Sequence, residues 1–400
     1  MIDTSTQKII SLKMPPSEWD STFQMISWWE KDRVRNANVM VVGAGALGNE
    51  VLKNLTLLNV GNVFIVDFDT IEYSNLCRSI LFRESDSKGG KYKADTAAER
   101  IREINPNINV RTIKGDISID VGLGLFRRMD VVIGCLDNRL ARLSLNRSCH
   151  KVNKVWIDGG IENLAGKCVV YKPTVSCYEC SLSESAWANI KYKIGCLDVA
   201  QRNVSQGRIP TTPISSSIIG AMQVQESLKV IHNNVEQLTA GKTYYYEGMS
   251  NESLLYKSAY LKEDCLSHFV YEDIIESPLS ADFSIEDVLS WLKEYFKDEN
   301  PVIELDHDLI LEINSESNKE SIPVVIARPH FTNNLIAKHQ TAPNDKIFIT
   351  KDIAVIDGNF ENQQLSLKEI GIPPLHIIKV HANETTNYVE LTGDLSLYNF

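Results

Sequence analysis

Gly43-Ala-Gly45-Ala-Leu-Gly48 stands between a β-branched run, Val39–Val42, and a helical apolar pattern carried by Val51, Leu55 and Leu58. Three glycines at this spacing, after a strand and before a helix, permit a tight turn and a close approach of backbone to phosphate. The helix N-terminus then attracts an anion. A second β-branched run, Val63–Val66, follows, and Asp67 ends it, 24 residues after Gly43. A carboxylate at that place suits a ribose hydroxyl. Taken alone, the pattern reads as a nucleotide site and leans towards NAD.

The rest of the first 275 residues repeats the alternation. Strand-like segments at 108–114, 130–135 and 154–159 are separated by helical patterns at 93–103 and 139–151. Strand–helix alternation predicts a Rossmann-like, doubly wound, mostly parallel sheet. Residues 21–36 read as helical, 181–212 as a long loop or crossover, and 215–231 as a helix. After residue 280 an amphipathic helix (284–296) precedes short strand candidates at 309–313, 323–327, 346–350, 376–380 and 387–391. This predicts an α+β unit, and so two domains, 1–275 and 276–400.

Composition separates the same two parts. Residues 281–400 hold 20 of the 52 acidic and 9 of the 41 basic side chains, so the whole net charge of −11 falls there. An acidic unit argues against nucleic acid as its ligand and suits a basic protein partner. With 43% hydrophobic and 23% charged residues the chain is not of the disordered class. It has no apolar run of about 18 residues, so no membrane span is expected. The first residues lack a basic start followed by an apolar core, so no secretory leader is expected. Eight cysteines, all at or before Cys265, are too sparse for a disulfide scaffold. A reducing, cytoplasmic setting is the expectation.

Beyond Asp67 the residues point away from a reductase. Asn75 and Arg78 lie in DFDTIEYSNLCRSILF, Lys91 in GGKYKA, and Asp137 follows the strand DVVIGC. A dinucleotide's pyrophosphate is handled largely by backbone amides. A triphosphate carries more charge and needs cations, and a carboxylate facing it suits Mg²⁺.

In order and spacing, GAGALG, DFDTIEYSNLCRS, GGKYKA and CLDNRLAR resemble the ThiF/MoeB adenylating family, which includes the ubiquitin-activating enzymes. The resemblance covers roughly residues 20–270. It implies that Gly43, Gly45 and Gly48 line an ATP site and that Asp67 binds the ribose. Asn75, Arg78 and Lys91 would face the phosphates, and Asp137 would hold Mg²⁺. The implied reaction joins a protein's C-terminal glycine carboxylate to AMP and releases pyrophosphate. Family members often form homodimers and carry an N-terminal Arg-Gln whose arginine reaches the neighbouring subunit. This chain has Arg33 and Arg35 in KDRVRN without the glutamine.

The family often pairs a C-x2-C with a second one late in the domain. Here Cys177-Tyr-Glu-Cys180 is matched by Cys265-Leu-Ser-His268. That set implies a structural Cys3His zinc site. Cys135, Cys149 and Cys168 read as core, and Cys77 has apolar neighbours. Cys196 lies in a polar stretch with Lys191, Lys193 and Arg202, cations that would lower a thiol pKa. Its place is similar to that of the thioester cysteine of activating enzymes.

SLKEIGIPPLHIIKV and NYVEL resemble the last part of a ubiquitin-like β-grasp unit. In ubiquitin-activating enzymes such a domain recruits the conjugating enzyme. The reading is therefore activation of a ubiquitin-like protein ending in glycine, a thioester on Cys196, and transfer to a conjugating enzyme. The alternative is an adenylyltransferase for a sulfur-carrier protein. No cysteine follows Cys265, so the acidic unit lacks a rhodanese's catalytic thiol. NAD-dependent reduction and a catalytically silent scaffold are the remaining readings.

Overall fold

The computed structural model describes residues 18–187, 210–258, 261–317, 321–340 and 345–398, without the side chains of 333 and 334. The first sheet has eight strands: β1 (Asn38–Val42), β2 (Asn62–Val66), β3 (Asn109–Ile113), β4 (Val131–Gly134), β5 (Trp156–Glu162), β6 (Ala165–Tyr171), β7 (Lys242–Glu247) and β8 (Glu252–Lys257). Their order is β3-β2-β1-β4-β5-β6-β7-β8. The first five are parallel, and β6, β7 and β8 extend the sheet antiparallel.

β1 lies at the centre because both of its faces are covered. Val39 and Val41 enter one core with Val51, Leu55, Ile65 and Ala97, beneath the helices Ala46–Leu57, Lys93–Ile104 and Pro213–Ile231. Met40 and Val42 enter the other with Phe64, Val132, Leu145 and Trp156, beneath the helix Arg139–Lys151. A strand buried on both sides has no polar face, hence the unbroken apolar run in the sequence. Strand order reverses between β1 and β4. Ligands of such sheets bind at that crevice, outside the carboxyl ends of the strands.

The second sheet comprises β9 (Ile275–Ser277), β10 (Val302–Ser315), β11 (Ser321–Ala327), β12 (Ile347–Ile356), β13 (Ile377–Ala382) and β14 (Thr385–Leu391). Its order is β11-β10-β13-β14-β9, with β12 also paired to β10. The helix Ile285–Phe296 lays Ile285, Val288, Leu289 and Leu292 on this sheet. Ser284 starts it by accepting a hydrogen bond from the Asp287 amide, 3.1 Å. Leu375, Ile377 and Tyr388 of this half join the core that holds Met40 and Trp156, so the halves share apolar packing.

Two expectations change. Residues 21–36 form a 3₁₀ turn (Ser21–Met25) and a one-and-a-half-turn helix (Lys31–Asn36), not one helix. The candidate at 309–313 is the middle of the 14-residue β10. Paired to β11, β12 and β13, that strand mixes buried and exposed positions along its length and loses a clean alternation.

Candidate functional site

The glycine turn is built by close packing. Gly43 has φ +97°, and a Cβ on it would meet the Cys135 carbonyl oxygen at 2.5 Å. A Cβ on Gly48 would meet the Gly43 carbonyl oxygen at 2.0 Å. Around Gly45, by contrast, a Cβ would find nothing within 4 Å. Two glycines thus serve the fold, and the third faces open space where a phosphate can approach. Asn49 Nδ2 donates to the Ala44 carbonyl at 2.8 Å, and Asn49 Oδ1 accepts from the Leu81 amide at 2.8 Å. One buried side chain thereby ties the turn to the segment that bears Arg78.

Asp67 closes the turn from the end of β2. Its Oδ2 accepts from the Ala44 amide at 2.6 Å and its Oδ1 from the Asp69 amide at 2.8 Å. Burial pushes its carboxyl above the usual range, against the opposing pull of Lys93. Lys93 Nζ lies 2.7 Å from Asp69 Oδ2, and its side chain is largely buried. Lys91 instead lies 3.1 Å from Asp86 and 3.8 Å from Glu99. The lysine brought to Asp67 is Lys93, which the sequence reading passed over. The available signal was its place as the first residue of the helix Lys93–Ile104, directly after Tyr92 bridges Thr70.

Asn75 and Arg78 sit on the 3₁₀ turn Tyr73–Arg78, both partly exposed. Asn75 Oδ1 accepts from the Glu72 amide at 3.0 Å, and Arg78 donates to the Ser74 carbonyl at 2.8 Å. Asp137 is exposed beyond the end of β4. The next residue, Asn138, caps the helix Arg139–Lys151 by accepting from the Ala141 amide at 2.7 Å. The carboxyl ends of β1, β2 and β4 therefore present Gly45, Asp67 with Lys93, and Asp137. Arg35 is held by Asp20 at 2.7 Å and Glu18 at 3.2 Å, and Arg33 pairs with Glu30.

Cys177, Cys180, Cys265 and His268 form one cluster whose ligand atoms all lie within 4.8 Å of one another. Cys177 Sγ is 3.9 Å from Cys265 Sγ, and Cys180 Sγ is 3.3 Å from His268 Nε2. Zinc with thiolates at about 2.3 Å in a tetrahedron needs S···S edges of about 3.8 Å, so the donor set fits that ion. Asn146 Nδ2 donates to Cys177 Sγ at 3.2 Å and the Lys262 amide to Cys180 Sγ at 3.3 Å. Such donors stabilise thiolate rather than thiol. Cys149 and Cys168 are buried, Cys135 is partly buried and Cys77 is exposed. Cys196, Lys191, Lys193 and Arg202 lie outside the described residues.

The ThiF family profile matches residues 21–267, more than half of the chain. The chain belongs to the ThiF family. Among its ThiF relatives, SUMO-activating enzyme subunit 2 of Dictyostelium discoideum is 38% identical over 151 residues, covering 37% of this chain and 22% of the relative. Ubiquitin-like modifier-activating enzyme 5 of the same organism is 31% identical over 216 residues, covering 50% and 54%. The adenylyltransferase and sulfurtransferase MOCS3 of that organism is 29% identical over 216 residues, covering 54% and 48%. The chain thus spans about half or less of the length of these three. The crystal structure of Escherichia coli MccB superposes with a TM-score of 0.52 at 22% identity, covering 64% of this chain and 73% of that one, a likeness of fold. No helix among the described residues is long and apolar enough to cross a membrane.

Proposed function

We propose that this ThiF-family protein adenylates the C-terminal carboxylate of a small ubiquitin-like protein with ATP. The observation that carries this is the corner formed by Asp67, Asp69 and Lys93 beside the open face of Gly45, with Asp137 beyond the end of the neighbouring β4. Asp67 takes the ribose. Lys93, Asn75 and Arg78 face the phosphates, with Lys91 as the outlying cation. Asp137 holds Mg²⁺, which would neutralise charge on the leaving phosphates. A carboxylate oxygen of the tail attacks the α-phosphorus, the bond to the β-phosphate oxygen breaks, and acyl-adenylate and pyrophosphate result. The enzyme groups supply position and charge, the main sources of rate for such a transfer.

The finer reading adds four parts. Cys196 takes the acyl group as a thioester, releasing AMP and a proton. The acidic second half, as a ubiquitin-like β-grasp domain, receives a conjugating enzyme with a basic face. Two copies form a homodimer, and Zn²⁺ occupies the Cys177–Cys180–Cys265–His268 cluster. The relatives' names support activation of ubiquitin-like proteins and of sulfur carriers alike.

Exchange of labelled pyrophosphate into ATP, dependent on a β-grasp protein ending in glycine, tests the first step. Absence of exchange with every such protein would sink it. A reducible covalent adduct lost in Cys196→Ala, with exchange retained, supports the thioester route. Exchange without any adduct in the native enzyme supports sulfur-carrier activation instead.

A further inference from the structure

Arg142 lies about one turn into the helix Arg139–Lys151, and its side chain is only 13% exposed. Its Nε donates to Asp158 Oδ1 at 2.8 Å. One terminal nitrogen donates to the Leu136 carbonyl at 2.5 Å and to the Gly159 carbonyl at 3.0 Å. The guanidinium thus ties the segment just beyond β4 to the middle of the neighbouring β5. Leu136 directly precedes Asp137. Asp158 is 1% exposed, and its second oxygen has no partner among the described residues. Burying a carboxylate with one oxygen unmatched is costly, so Asp158 is held there by its arginine.

Resting on the nucleotide reading above, we infer that Arg142 is a positioning residue for the Mg²⁺ carboxylate, fixing the Leu136–Asp137 backbone through the Leu136 carbonyl while Asp158 orients the guanidinium. The helix start alone does not fix this loop. Asn138 caps the helix with its side chain, but the Leu136 carbonyl points to the interior and meets the arginine. Only a planar fork reaches three acceptors in fixed directions; a lysine ammonium has no such geometry. Asp137, exposed and flanked by this clamp, keeps one place from which to meet a metal on the phosphates.

The test is calorimetric titration of the full chain with Mg·ATP, and with ATP in magnesium-free buffer. Arg142→Lys is expected to weaken Mg·ATP binding about tenfold and to leave magnesium-free ATP binding within about twofold, as for loss of one charge-assisted contact. Asp158→Asn keeps the volume and an acceptor for Arg142, and is expected to give a smaller loss of the same kind. It serves if Arg142→Lys fails to fold. In an Asp137→Asn background neither change should weaken binding further, since the effect runs through that carboxylate. Equal weakening with and without magnesium, additivity with Asp137→Asn, or native affinity in a folded Arg142→Lys would each overturn the inference. If the native chain binds no Mg·ATP, the nucleotide reading falls as well; native binding with an unaffected variant removes only the role of Arg142.

Discussion

Arg127, on the first half of the chain, donates a hydrogen bond to Glu390, a fully buried carboxylate on β14 of the second half. Arg128 bonds the other oxygen of the same carboxylate, and Arg127 also reaches Glu276 at 2.8 Å. Only the carboxylate of this joint is fully buried; the two arginines keep part of their surface in water. Glu390→Gln removes the buried charge and leaves two partly exposed arginines, Arg127 still paired with Glu276, so it should destabilise by about 1.5–3 kcal/mol in urea unfolding, the loss of charge-assisted hydrogen bonds. Glu276, 57% exposed, should cost under about 1 kcal/mol as glutamine. Equal effects at the two positions would contradict the assignment of Glu390 as the buried centre of this joint.

Lys93 and Lys91 make a second comparison. Lys93 is 12% exposed beside Asp69, whereas Lys91 is 48% exposed and pairs with Asp86. Lys93→Met should weaken ATP binding by about tenfold or more, the loss of one buried charge-assisted contact. Lys91→Met should change it by less than about threefold, as expected of a half-exposed lysine engaged by Asp86. Fluorescence titration of ATP on both variants decides between them. A larger effect at Lys91 would restore the assignment made from the sequence.

What the sequence made legible follows from which interactions are local. The Val39–Val42 run and the glycine turn were readable because full burial and a tight turn each restrict residue type directly. The helix Arg139–Lys151 was read to the residue from its apolar pattern, and the structure adds the Asn138 cap at its start. β7 and β8 were not read as strands. Every residue of β8 is exposed, so no alternation marks it, and β7 is mostly half-exposed tyrosines. Glu390 in NYVEL looks like an ordinary polar strand position, because Arg127 and Arg128 lie more than 250 residues away in the chain. Lys91 and Lys93 differ in which carboxylate the fold brings to each and in how far it buries them, neither of which is local in sequence.

The Cys3His cluster predicts a metal content. Elemental analysis should find about one zinc per chain, falling to trace levels in Cys265→Ser. The cluster joins Cys177 and Cys180 to Cys265 and His268 over more than 80 residues of chain. Chelation should therefore lower the melting temperature, and added Zn²⁺, but not Mg²⁺, should restore it. Asn146→Ala removes the donor to Cys177 and should weaken metal retention about tenfold in a competition with a chromophoric chelator. A native protein free of zinc, with an unchanged melting curve in chelator, would remove the metal from this site.

His330 of the second half lies 3.4 Å from Asp120 of the first. The hydrogen bond to Asp120 raises the imidazole pKa above its ordinary 6.5, against the opposing effect of burial. A raised pKa in the folded state means that the protonated form is the one the fold holds. The stabilisation is therefore complete below about pH 6.5 and disappears as pH rises through the folded-state value. Both partners are more than a third exposed, so the contribution is under about 1 kcal/mol. In thermal melts, His330→Gln should lie at most about 2 °C below the native chain near pH 6, the order set by so small an energy in a long chain. The gap should close by about pH 8.5, where the native imidazole is neutral as well. A gap that persists or widens with rising pH would show that His330 acts through packing and not through its charge on Asp120.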